Sequence, residues 1–142
     1  MTAGVGPPRS VRWVELGFRV ASSLIFVVAG AGHLVRTDVM VAKLVEAPLG
    51  RHLAELGVAE PLMMVSGFVL LVGGTALALG YRTRLSALVL LGVLIPITIT
   101  AHVGHGGDPG PLLKNVALLG SLAHFAALGG GALAFDRQAS PR

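Results

Sequence analysis

No cysteine occurs anywhere in the 142 residues. That excludes disulfides, thiolate metal ligands, iron–sulfur centres and any cysteine relay, so redox work would need a bound cofactor or a partner that carries one. Charge is scarce as well: Asp, Glu, Lys and Arg make up 13% of the chain, and aromatic residues 5%. A basic stripe with interleaved stacking rings is therefore missing, which excludes a nucleic-acid partner despite the formal charge of +4. The absence of internal repeats and the short length leave room for one bundle and no second domain.

What the chain does contain is apolar sequence in long runs. Roughly 14–35, 61–79, 85–101 and 116–135 are apolar stretches divided by short Gly- and Pro-marked breaks. At about 1.5 Å per residue, each crosses or nearly crosses a hydrocarbon core of about 30 Å. A soluble protein of this size has no room to bury four such helices. The reading is an all-α integral membrane protein, an antiparallel bundle of four transmembrane helices.

The longest connection, about 36–60, spaces Met40-Val41, Leu44-Val45, Leu53 and Leu56 around a break at Pro48 and Gly50. This predicts one or two short interfacial helices between helices 1 and 2. Residues 1–10 read as a flexible tail, 11–137 as the membrane domain and 138–142 as a second tail. Glu15 and Arg19 interrupt the start of helix 1, so it is expected to be retained rather than cleaved as a signal. Arg9, Arg12, Arg82, Arg84, Arg137 and Arg142 fall on one side of the bilayer, which orients both termini to the cytoplasm. Trp13 and the Gly80–Arg84 turn suit the headgroup level. Pro96 removes one hydrogen bond inside helix 3 and predicts a kink.

Ionisable groups near the membrane are the candidate functional residues. Glu15 and Arg19, four apart, share a helix face and form either an interfacial salt bridge or a functional charge inside the bundle. Asp136 is positioned to meet Arg19 or the Arg82/Arg84 turn. His102, His105 and Asp108 are spaced by threes, with Lys114 across the loop. The glycines between them make a polar pocket mouth for a headgroup, quinone oxygen or anion a better reading than a metal site. His124 is placed near the middle of helix 4, one turn beyond Gly120, and either fastens helices or holds a quinone carbonyl. Gly67, Gly73, Gly74 and Gly80 present a thin face for helix packing.

With these residues placed, the sequence resembles the DoxX family of small four-span bacterial membrane proteins. The resemblance rests on Arg19 ahead of Phe26-Val27-Val28-Ala29-Gly30, on Gly73-Gly74-Thr75 through Tyr81-Arg82-Thr83-Arg84, on His102, on Lys114-Asn115-Val116 through Gly120, and on Asp136. Two positions depart from it: Leu70 stands where many relatives carry an acidic residue, and His33 where many carry lysine. The resemblance implies a bacterial inner-membrane subunit or accessory protein of a quinone-linked redox or oxidative-stress system. Arg19, His102, Lys114, Asn115 and His124 would then contact a membrane quinone or small anion, beside an oxidoreductase subunit or a second copy. The alternative is a non-enzymatic scaffold or an oligomeric carrier.

Overall fold

The computed structural model describes residues 8–102 and 109–138. Most of the N-terminal tail, His105 and Asp108, and the segment 139–142 lie outside them. Seven helices follow in order: α1 (Arg9–Val35), α2 (Thr37–Val45), α3 (Pro48–Glu55), α4 (Ala59–Leu79), α5 (Thr83–His102), α6 (Gly110–Leu128) and α7 (Phe135–Gln138). Among the described residues, α1, α4, α5 and α6 are long and apolar enough to span a membrane. The chain is a multi-pass membrane protein. α2 and α3 are the short interfacial helices that fill the connection between the first two spans.

The spans alternate in direction and pack in sequence order, α1 on α4, α4 on α5 and α5 on α6. Their shared core is Phe26, Leu70, Leu77, Leu90, Leu94, Leu122 and Phe125. The outward faces carry Leu24, Val28, Val65, Phe68, Leu88 and Val116 exposed, as a lipid-facing surface requires. The tightest contact is the α1–α4 crossing. A methyl group on Gly30 would fall 2.5 Å from the Leu71 amide nitrogen and 2.7 Å from the Gly67 carbonyl oxygen. Only glycine lets the two backbones come that close, and lipid supplies no competing drive to separate them.

The fourth span differs from the sequence expectation. It runs from Gly110 to Leu128 rather than over 116–135. Pro109 and Pro111 look like helix breakers, but they stand at the N-cap and in the first turn, where a missing N–H costs nothing. At the other end Gly129 (φ 83°) and Gly131 (φ 79°) stop the helix. Lys114 and Asn115 are consequently inside α6, and His124 lies in its last turns, not at its middle. α5 remains helical through Pro96 to His102.

Candidate functional site

Two polar regions lie at opposite ends of the bundle. The first is assembled around Arg19, 1% exposed and on the inward face of α1. Its guanidinium sits in a slot between Gly80 and Gly130, where side chains at either position would collide with it. Nε donates to the Ala78 carbonyl (3.2 Å), Nη1 to that of Gly130, and Nη2 to that of Leu133 (3.3 Å). Three of the five guanidinium donors are thus spent on carbonyls left over at the end of α4 and in the loop after α6.

Glu15 joins the same loop from one turn away. Its Oε2 accepts from the Ala132 amide (3.0 Å), so Glu15 and Arg19 grip the 129–134 segment side by side. Of the two readings of this pair, the direct Glu15–Arg19 salt bridge is not formed. The one ion pair within 4 Å among the described residues is His52–Glu55. The reason is local: a carboxylate needs donors and a guanidinium needs acceptors, and the loop backbone offers both.

Asp136 closes the arrangement. Helix α4 ends in a Schellman turn, with Gly80 N–H donating to Leu77 and Tyr81 N–H to Ala76. Arg82 follows at φ 44°, and the Asp136 carboxylate accepts from the amides of Arg82 (2.6 Å) and Thr83 (2.7 Å) at the start of α5. The expected meeting with the Arg82/Arg84 turn takes place through the backbone rather than through the arginine side chains. Burial alone would raise the Asp136 carboxyl. The Thr83 and Arg82 donors and the Arg19 charge outweigh it and hold the group below the usual carboxylate range.

The second region lies at the other end of α5 and α6. Asn115, 4% exposed, donates from Nδ2 to the Thr98 hydroxyl (3.1 Å), which itself donates to the Leu94 carbonyl (2.7 Å). Lys114 beside it is exposed, and His102 is the last residue of α5. Sequence reasoning passes over Thr98, although a hydroxyl inside an apolar span is a visible signal.

The five candidate residues therefore do not converge. His102, Lys114 and Asn115 belong to one end and Arg19 and His124 to the other; along α6, Lys114 and His124 are separated by about 15 Å. His124 is exposed, its ring edge-on to Phe18 (5.6 Å between centroids) and to Phe125 (5.5 Å). Gly120, one turn earlier, has open space beside it within the chain.

The DoxX family profile matches residues 14–103, more than half of the chain. The chain belongs to the DoxX family. No curated protein and no solved structure matches it. The DoxX match takes in Glu15, Arg19, the Gly80–Arg84 turn, Thr98 and His102. It leaves out Lys114, Asn115, His124 and Asp136, so the resemblance in those segments rests on their own residues. DoxX membership supports a membrane role associated with redox or oxidative-stress systems.

Proposed function

We propose that the chain is the membrane subunit or accessory protein of a quinone-linked redox or oxidative-stress system of the bacterial inner membrane, with both termini cytoplasmic. The observation that carries the reading is the polar end of the α5–α6 hairpin. There a buried Asn115–Thr98 pair stands beside an exposed lysine, with His102 closing the facing helix. A quinone oxygen needs one or two donors at the edge of the hydrocarbon, and an ammonium, an imidazole or an amide N–H can supply them. With no cysteine in the chain, the electron-carrying groups would be a bound cofactor or belong to a partner.

Quinone reduction by the complex purified from native membrane tests the assignment. His102→Ala and Lys114→Ala, singly and together, should lower the rate; a complex with full activity in the double variant refutes quinone contact at this end. Reporters fused at Arg142 and within 106–110 should respond in opposite compartments, and the same compartment for both refutes the orientation.

The open face around Gly120 supports the second reading, a scaffold or an oligomer that carries a small solute. Uptake into proteoliposomes by the purified protein alone would favour it over the redox subunit.

A further inference from the structure

At the Arg19 end, the α4–α5 turn and the segment after α6 line an open cleft of about 670 Å³. It is within the size range of small-molecule sites. Its wall carries three arginines, Arg82, Arg84 and Arg137, together with Glu15, Asp136 and Gly129. Both carboxylates are already engaged by backbone amides, Glu15 by Ala132 and Asp136 by Arg82 and Thr83. Their charges also face the buried Arg19 behind the wall. Four arginines against two carboxylates leave two positive charges in excess. None of the three wall arginines has a carboxylate within 4 Å among the described residues.

Two further observations give this excess a purpose. Arg82 is the one described non-glycine residue with positive φ, a conformation that L side chains adopt at a cost and glycine adopts freely. An outlier of this kind in a residue that lines a cleft is grounds for a functional hypothesis, because glycine would relieve it. The neighbouring Tyr81, like Trp13 at the same end, is exposed, which sets the cleft at the level of lipid headgroups. Guanidinium forks match phosphate oxygens in pairs, whereas a neutral carbonyl ligand would need only one donor.

We propose that this cleft binds a phosphate ester, drawn from an anionic lipid headgroup or from a soluble phosphate compound. The site does not depend on the quinone reading; it uses different residues at the opposite end of the bundle.

The test uses the full chain, delipidated in neutral detergent. Retention of phosphatidylglycerol against phosphatidylcholine is measured by native mass spectrometry, and inorganic phosphate is titrated in parallel by calorimetry. Arg84→Gln/Arg137→Gln should weaken the bound ligand on the order of 10- to 100-fold, the loss of two charge-assisted contacts. Arg9→Gln/Arg12→Gln removes the same charge outside the cleft and should leave binding unchanged. A phosphatidylglycerol preference with this pattern supports the site and assigns it to lipid; phosphate binding with this pattern and no lipid preference supports it and assigns it to a soluble ester. Failure to bind either probe overturns the proposal, as does equal binding by the cleft variant or an equal loss in the Arg9/Arg12 control. Should the double variant not fold, the single Arg137→Gln decides, with a several-fold loss expected and no loss overturning.

Discussion

The Arg19 end and the Asn115 end of the bundle are both polar, yet they use polarity in different ways. Around Arg19, side chains bind main chain: three carbonyls, the Ala132 amide, and the amides of Arg82 and Thr83. Around Asn115 a side chain binds a side chain, and the neighbouring Lys114 is exposed. The first pattern ties together non-helical segments and helix ends, whose backbone groups would otherwise lack partners. The second joins two helices whose backbones are already satisfied. Polar side chains in this bundle thus separate into those that bind main chain and complete the loops, and those that bind another side chain and join two helices.

Breaking the main-chain clamp gives the largest expected effect. Arg19→Leu leaves the carbonyls of Ala78, Gly130 and Leu133 without their donor and two carboxylates without their counter-charge. It should cost about 3–5 kcal/mol in reversible unfolding from detergent. A loss below about 1 kcal/mol would mean that the clamp is incidental.

Next is the α1–α4 crossing, which holds the two ends in register. Gly30→Ala puts a methyl into the Leu71 and Gly67 backbone and should cost about 1–3 kcal/mol. The same measurement on Gly120→Ala, which meets open space, should show no packing loss.

Asp136→Asn should cost about 1 kcal/mol, the value of a helix-start acceptor. It should also change the pH profile. A carboxyl held below its usual range contributes stability that is full above the ordinary carboxylate pKa and disappears as pH falls through the lower folded value. Unfolding midpoints of the two proteins should therefore differ at neutral pH and converge in acid; a constant gap contradicts the assigned cause.

The Asn115–Thr98 contact should give the smallest effect. A double-mutant cycle with Asn115→Leu and Thr98→Val should return a coupling of about 0.6 kcal/mol, typical of side-chain bonds between membrane helices. A coupling of several kcal/mol would erase the distinction between the two ends.

The helices were largely legible because membrane spans are set by length and hydropathy, which sequence displays directly. The boundaries of α6 were not, because Pro109 and Pro111 start a helix with the same residues that end one, and the glycines at 129–131 suit helix packing as well as helix termination. Asp136 could be matched to the Arg82 turn by position. The partners of Arg19 could not be read at all. They are carbonyls of Ala78, Gly130 and Leu133, and a backbone oxygen leaves no mark in the identity of its residue.

The bond from Arg19 to Gly130 joins residues 111 positions apart. A ribosome adding about 5–20 residues per second delivers the acceptor roughly 6–22 s after the donor. During that interval the arginine has to wait near the water boundary, and the first helix can settle to its final depth only once the last loop has emerged. A chain cut short before this loop is therefore expected to betray itself through a poorly seated first helix.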